Sequence, residues 1–238
     1  MWVTGGQALP GFAKTICDSA AHQARFNMAS VWWELPDFPA AWAQCAESFD
    51  AIVAGSPFLR ESWANAVSGV PVFDGLVLVM MLQSVVSDRK RFALPTDATL
   101  VYMGFDAGSD PVRKNPFAVV AAFKQAFLAS PDVRLVIKVN NPKVEGRLDA
   151  ADAASVFADR RRPRVMLIAE RLTHADLLTL YASCDIVISL HRSEGLGLIP
   201  LEAMLLGKPV ICHGLVGQHG LHASRLCCAG RSPAGADR

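Results

Sequence analysis

The chain has 238 residues, enough for one large domain or two small ones, and 52% of them are hydrophobic, so it can bury a sizeable core. Its formal net charge is +1, which excludes a global field that would attract nucleic acid or an anionic membrane. The longest apolar run is too short to cross a bilayer, no signal peptide opens the chain, and its six cysteines lack a framework spacing. These features predict a cytoplasmic protein without a transmembrane segment.

Residues 1–30 show only a weak pattern of apolar and polar residues. Further on, "FDAIVAGSPFLRESWANAV" predicts a strand at 50–54 and a helix that runs to about Val67. Residues 69–82 predict one or two short strands, and the polar residues 83–97 predict a linker. We therefore expect a first domain over 1–82.

Residues 98–211 alternate regularly between apolar strands and helices. The strands are "ATLVYMGF", "VRLVIKV", "RVMLIAE", "DIVISL" and "KPVIC". The intervening helices include "THADLLTLYASC", for which Thr173 is the expected N-cap. This alternation is typical of βαβ units, so the predicted fold class is α/β with a Rossmann-like, doubly wound parallel sheet. Ligands of such sheets bind beyond the carboxyl ends of the strands.

A glycine loop connects the strand "DIVISL" to a helix within "HRSEGLGLIPLEAMLLGKPVI". The N–H groups at the start of a helix, together with its dipole, favour a phosphate. Glu194 and Glu202 flank this loop, and eight residues of helix rise about 12 Å, close to the length of a sugar, a diphosphate and a ribose. Carboxylates accept hydrogen bonds from vicinal hydroxyls. By spacing alone, a capping carboxylate and a solvated helix residue explain the pair equally well.

The same stretch resembles the E-x7-E signature of retaining GT-B glycosyltransferases, in particular family 4. "LTHADLLTLYASCDIVIS" matches the helix and strand that precede this signature, and "GFDAGSDPVRKNPFAVVAAFKQAF" resembles the loop and helix that bring basic residues to the donor diphosphate. "VWWELPDFPAAW" and "FDAIVAGSPFLRE" resemble the end of the N-terminal, acceptor-side domain. The resemblance implies that 1–82 is a remnant of that domain and that 98–211 binds a nucleotide sugar.

The resemblance also implies roles for individual residues. Glu194 would contact the sugar hydroxyls of the donor and Glu202 the ribose. Lys114 with Arg113 would neutralise the leaving diphosphate. The other implied donor contacts are the backbone of Gly195, Leu196, Gly197 and Leu198, a second cation at Lys138, and Glu170 with Arg171 beside the nucleobase.

Two features leave the basic pair open to another interpretation. Many relatives carry a glycine-arginine pair after the first strand, whereas this chain has "GFDAGS" there. Arg113 and Lys114 could also belong to an ordinary exposed helix N-terminus.

The resemblance implies no cofactor and no required metal, because cationic side chains replace Mg²⁺ at the diphosphate.

Residues 212–238 contain three of the six cysteines and three of the six histidines, but their spacing fits no standard zinc site. The family usually continues "ATGWSGNMDFM" after "KPVI". Codons for "LVGQHGLHA" can be chosen that read "WSGNMDFM" when shifted by one base. We therefore expect a frameshift at about residue 211 or 212, followed by an aberrant, disordered tail that adds no strand.

The function implied is transfer of a sugar from a nucleotide-sugar donor to an unknown acceptor, a sugar, polysaccharide or lipid-linked molecule, with retention of configuration. A lipid-linked acceptor would bring the protein to the inner face of the membrane. One alternative is a catalytically inactive nucleotide-binding remnant of such a transferase. Another is a phosphate-binding regulatory module that docks a partner through the tryptophan-rich segment at 31–42.

Overall fold

The chain divides into two units, and each has its own sheet. The first is drawn mainly from Met1–Leu78 and takes in Ser193–Gly197, and the second from Val79–Arg192 and Leu198–Gly214. The computed structural model describes residues 1–5, 8–17, 25–35, 37–75, 77, 79, 84–127, 129–141, 164–213 and 227–230.

A parallel four-stranded sheet forms the first unit, in the order β1-β2-β3-β4. Its elements are β1 Trp2–Gly5, α1 Leu9–Cys17, β2 Met28–Trp32, α2 Ala40–Ala46, β3 Ala51–Ala54, α3 Pro57–Ala66 and β4 Val72–Asp74. Its core packs Ile52 of β3 and Trp63 of α3 against Phe38, whose ring centroid lies 4.0 Å from that of Trp63. The predicted strand at 50–54 and the helix after it are confirmed.

α3 begins as its sequence dictates. The hydroxyl of Ser56 accepts a hydrogen bond from the amide of Leu59 at 3.2 Å, and Pro57 occupies the first helical turn, where a missing N–H costs nothing. The Ser-Pro pair therefore fixes where the chain leaves β3.

The second unit contains a six-stranded sheet in the order β10-β9-β8-β5-β6-β7, and all of its strand pairs are parallel. The fold class predicted from the sequence is thus confirmed. Its elements are β5 Thr99–Asp106, α4 Pro111–Lys114, α5 Pro116–Ala126, β6 Val133–Asn140, β7 Val165–Ile168, α6 His174–Ser183, β8 Ile186–Ser189, α7 Leu198–Leu205, β9 Val210–His213 and β10 Cys227–Gly230.

Helices cover both faces of this sheet. On one face Tyr102 of β5 packs with Tyr181 of α6, at 4.8 Å between ring centroids, and with Ala203 of α7. On the other face Met103 packs with Phe123 of α5. Burial on both faces explains why β5 and β6 are nearly continuous apolar runs.

The predicted linker residues 84–97 form no helix or strand, but they pack closely on the second unit. Phe92 and Leu94 are buried in the same cluster as Tyr102. The guanidinium of Arg89 donates to both carboxylate oxygens of Asp185, at 2.8 and 2.9 Å.

The expectation that the tail adds no strand is wrong. β9 continues to His213, and β10 pairs with it in parallel, with Cys227 opposite Val210. A parallel edge strand needs only backbone groups, and the outer edge of β9 offers them, so the lack of an apolar period did not prevent pairing. Residues 214–226 and 231–238 lie outside the described residues.

Candidate functional site

Strand order reverses beside β5, and this sets where a site can form in the second unit. β5 pairs with β6 over its whole length, and on its other side it pairs with β8 at Val101 and Tyr102. Where strand order reverses in an open parallel sheet, the loops diverge at the carboxyl ends and leave a crevice that binds ligands. The chain that leaves β5 leads to Arg113 and Lys114, and the chain that leaves β8 leads to Glu194.

The short helix α4 carries the basic pair and is held to the segment after β8. The backbone N–H of Arg192 donates to the carbonyl of Arg113 at 2.8 Å, and the side-chain amide of Asn115 donates to the carbonyl of Leu190 at 3.0 Å. Arg113 is only 7% exposed, so it is no solvated residue of a helix end, whereas Lys114 is partly exposed. The turn therefore presents Lys114 from a fixed backbone.

The glycine loop Ser193–Gly197 groups with the first unit, and its polar contacts explain why. The hydroxyl of Ser56 donates to the carbonyl of Gly195 at 2.6 Å, and the hydroxyl of Ser193 donates to the carbonyl of Glu34. Glu194 lies between these two anchored residues and is partly buried.

Each glycine of this loop has its own requirement. A Cβ at Gly195 would lie 2.9 Å from the carbonyl oxygen of Trp33, so a side chain there does not fit. Gly197 has a φ of 81°, a conformation that glycine adopts without strain. Gly195 and Gly197 are buried, Leu196 is partly buried, and Leu198 is exposed at the start of α7.

Glu202, one turn into α7, lies between the protein core and an imidazole. Its side chain is 11% exposed, and its Oε1 lies 2.8 Å from Nε2 of His174, the first residue of α6. Burial raises the pKa of Tyr181, and the negative charge of Glu202 adds to that rise. Glu202 is therefore a carboxylate at the edge of an apolar region, where a polar partner is needed.

Lys138, the predicted second cation, is buried near the end of β6. The residue is 1% exposed, and its ammonium donates to the carbonyl of Val139 at 2.8 Å and to the side-chain oxygen of Asn140 at 2.7 Å. Burial lowers its pKa, against the opposing effect of Glu170 and Asp106. Lys138 therefore anchors the end of β6.

The structure joins some of the predicted residues and leaves others separate. Arg113 and Lys114 are tied to the segment that leads to Glu194. Lys138 interacts electrostatically with Glu170, which is exposed after β7 together with Arg171. That Lys114, Glu194 and Glu202 line one cleft stays a prediction.

Three residues that the sequence analysis assigned no role at the site hold its parts in place: Ser56, Asn115 and His174. Each carried a local signal. Ser56 precedes a proline at the start of a helix, Asn115 precedes Pro116 at a break between helices, and His174 follows the N-cap Thr173. None of these signals reveals the hydrogen-bonding partner of the residue, and the three partners lie 28 to 139 residues away in the chain.

The sequence of residues 105–219 matches the model of the family "Glycosyl transferases group 1". This range begins at the end of β5 and includes both segments that leave the strand reversal. A comparison with curated protein sequences found no match.

Solved structures of glycosyltransferases resemble the chain over most of its length. TarM is similar with a TM-score of 0.67 and 13% identity, over 97% of this chain and 45% of TarM. Anabaena HepE in complex with UDP-glucose is similar with a TM-score of 0.66 and 17% identity, over 92% of this chain and 61% of HepE. A UDP-forming trehalose-phosphate synthase from Burkholderia xenovorans is similar with a TM-score of 0.65 and 14% identity, over 96% of this chain and 62% of the synthase.

The fold is that of the GT-B glycosyltransferases. The chain spans between 45% and 62% of the length of these GT-B structures. No helix within the described residues is long and apolar enough to span a bilayer.

Proposed function

We propose that the protein transfers a glycosyl group from a nucleotide-sugar donor, with retention of anomeric configuration, as a member of family 4. One observation carries the proposal: the family match covers the segment that supplies Lys114, Glu194 and Glu202, and the first two of these follow the two strands at the reversal. The acceptor is a sugar, a polysaccharide or a lipid-linked molecule.

Each part of the donor has a proposed partner. Lys114, with Arg113 beside it, neutralises the leaving diphosphate, and the backbone of 195–198 holds the phosphates. Glu194 accepts hydrogen bonds from the transferred sugar and Glu202 from the ribose. Glu170 and Arg171 border the base, and Lys138 stabilises the nearby strand end with its buried charge.

The donor that we propose is a uridine diphosphate sugar. Anabaena HepE was solved with UDP-glucose and TarM of S. aureus with UDP, and both share this fold. In retaining front-face transfer the bond from the anomeric carbon to the diphosphate breaks while the acceptor oxygen bonds on the same face, and the acceptor proton goes to the leaving phosphate. Negative charge thus develops on the diphosphate, where a positioned cation stabilises it. We propose that side chains supply this charge and that no metal ion is required.

Binding of UDP, measured by isothermal titration calorimetry, tests the donor site. Glu202→Ala should weaken binding by about 10- to 100-fold, because a hydrogen bond to a charged group is worth about 1.5–3 kcal/mol. Glu194→Ala should have a smaller effect, because its partner, the sugar, is absent from UDP. Lys124→Ala, on the exposed side of α5, is the control and should bind as the unmodified protein does.

An unmodified protein that fails to bind UDP would contradict the proposal, and so would a larger loss in Glu194→Ala than in Glu202→Ala. Release of UDP from UDP-glucose in the presence of candidate acceptors then separates a working transferase from a remnant that only binds the nucleotide.

We also propose that the reading frame changes near residue 211 and that the protein acts in the cytoplasm, including the inner membrane face if its acceptor is lipid-linked. The frame proposal rests on the codons described above, although the family match runs on to residue 219. The coding DNA tests it: after Ile211 a neighbouring frame should spell Trp-Ser-Gly-Asn-Met-Asp-Phe-Met, and any other reading overturns the proposal.

A further inference from the structure

Asn115 occupies an unusual position between α4 and α5. Its backbone is left-handed, with φ 52° and ψ 42°, and it is the N-cap residue of α5. Its side chain does not cap that helix, although asparagine is among the best capping residues. Instead, Nδ2 donates to the carbonyl of Leu190 at 3.0 Å, 75 residues further along the chain.

The residue type suits both requirements of this position. Among residues that carry a Cβ, asparagine is one of the few that adopt the left-handed region routinely. Pro116 follows, and a residue before proline avoids the right-handed helical region. Glycine would accept the same backbone but could not donate to Leu190.

A second hydrogen bond acts on the other side of Lys114. The carbonyl of Arg113 accepts from the N–H of Arg192 at 2.8 Å. Lys114 therefore lies between two residues that are each bonded to the segment 190–192. This segment continues directly into Ser193 and Glu194, so the two hydrogen bonds connect the basic turn to the chain that carries the first glutamate.

We propose that Asn115 is a positioning residue that holds the ammonium of Lys114 toward the donor diphosphate. The inference rests on the proposed function, because it takes the diphosphate as the partner of Lys114. The tether orders the backbone on both sides of the lysine before the ligand arrives. Without the tether, the side chain of Lys114 samples other directions, which weakens its contact with the diphosphate. The contacts with the base and the ribose are not affected.

The test compares UDP with uridine, which lacks the diphosphate. Affinity is measured by calorimetry for UDP and by NMR shift titration for uridine. Asn115→Gly keeps the left-handed backbone and loses only the tether, so UDP binding should fall by about 3- to 10-fold while uridine binding stays unchanged. Asn115→Ala strains the backbone as well and should bind UDP more weakly still, with a lower melting temperature.

Asn141→Gly is the matched control. Asn141 also has a left-handed backbone, with φ 50°, and its side-chain amide donates to the carboxylate of Asp106 at 2.8 Å, so the same substitution removes a side-chain amide bond elsewhere. It should leave the ratio of UDP to uridine affinity unchanged. A purely structural role for Asn115 would instead weaken both ligands together, which would overturn the inference.

A double-mutant cycle separates this inference from the proposed function. Lys114→Ala should itself lower UDP affinity relative to uridine, and adding Asn115→Gly should then cause no further loss. If Asn115→Gly binds UDP normally while Lys114→Ala does not, the positioning role is wrong and the role of Lys114 stands. If Lys114→Ala leaves the ratio unchanged, the assignment of Lys114 and the role of Asn115 both fall.

Discussion

The contact between His174 and Glu202 shows how a single residue can orient a nearly buried carboxylate. The imidazole is 66% exposed, whereas the carboxylate is 11% exposed and lies near the buried Tyr181. Removing the partner of a nearly buried carboxylate costs more than removing one member of an exposed ion pair. His174 is therefore the residue through which the position of Glu202 can be altered without changing Glu202 itself.

We predict that His174→Ala lowers the free energy of unfolding by about 1–2 kcal/mol and weakens UDP binding, because Glu202 loses the group that orients it. His174→Gln, which keeps a donor, should restore part of both. Thr173→Ala is the control: it removes the N-cap bond to the amide of Asp176, costs about 1 kcal/mol, and should leave UDP binding intact. Urea unfolding and calorimetry measure the two effects, and equal losses of UDP affinity in Thr173→Ala and His174→Ala would contradict the prediction.

The buried ammonium of Lys138 predicts a pH dependence of stability. Because burial lowers its pKa, the folded protein holds this proton less tightly than the unfolded chain, whose lysine has the ordinary value of 10.5. Stability therefore rises with pH between the lowered pKa and 10.5. In urea unfolding from pH 7 to pH 10, the unmodified protein should gain stability relative to Lys138→Met. A constant difference in stability between the two proteins over this range would mean that the pKa of Lys138 is not lowered.

At the residue scale, the sequence pointed to residues that belong to a family motif. It did not point to the residues that contact them and hold them in place. Glu202 belongs to a spacing that is visible in the sequence, but its partner His174 precedes it by 28 residues, and only the packing of α6 against α7 brings the two together. Lys138 has the polarity of a surface residue, yet its place within β6 buries it. Such partners depend on tertiary distance, which a local pattern does not contain.

At the scale of elements, Arg89 joins an irregular segment to the sheet. Its guanidinium binds Asp185 with two hydrogen bonds and also donates to the carbonyls of Ser183, at 3.0 Å, and Ala98, at 3.0 Å. Asp185 in turn accepts from the amide of Leu100 at 2.7 Å. The segment before β5 and the turn before β8 are thus connected through one planar side chain.

We predict that Arg89→Lys lowers the free energy of unfolding by about 2–3 kcal/mol, because an ammonium cannot reproduce this fork of donors. Arg91→Lys is the matched control, since Arg91 is half-exposed and forms a single ion pair with Asp176 at 2.7 Å. It should cost less than about 0.5 kcal/mol. Urea unfolding distinguishes the two, and similar costs would mean that the fork contributes no more than a surface pair.

Elements with a strong apolar signal in the sequence were predictable, and elements without such a signal were not. β5 to β9 follow the predicted strands because they are apolar runs between helices. α1 went unpredicted because Pro10 and Gly11 signal a break, although proline is tolerated in the first turn of a helix that begins at Leu9. β10 went unpredicted because its pairing uses backbone groups that no composition reveals.

At the scale of the whole molecule, each unit has its own core. Trp63 is fully buried in the first unit, where its indole N–H donates to the carbonyl of Val31 at 3.3 Å. Tyr181 is fully buried in the second. Because neither side chain belongs to the cluster of the other, the consequences of removing each should be confined to one sheet.

We predict that Trp63→Ala lowers the free energy of unfolding by about 3–5 kcal/mol. It should reduce hydrogen-exchange protection in β2 and β3 and leave β5 and β6 protected. Tyr181→Ala should do the reverse. Mass spectrometry of exchanged peptides measures both, and loss of protection in both sheets from either substitution would show that the two units unfold as one.

The parallel pairing of β5 with β8 also sets a schedule for synthesis of the protein. This edge of β5 pairs with β8 at Val101 and Tyr102, and the amide of Leu100 donates to the side chain of Asp185, 85 residues later. The edge therefore has no partner until that much more chain has been made. At about 5–20 residues per second, this edge stays open for about 4 to 17 s on the ribosome. A long apolar strand with an unpaired edge can pair with other chains. We therefore expect that slower translation between β5 and β8 lowers the yield of soluble protein.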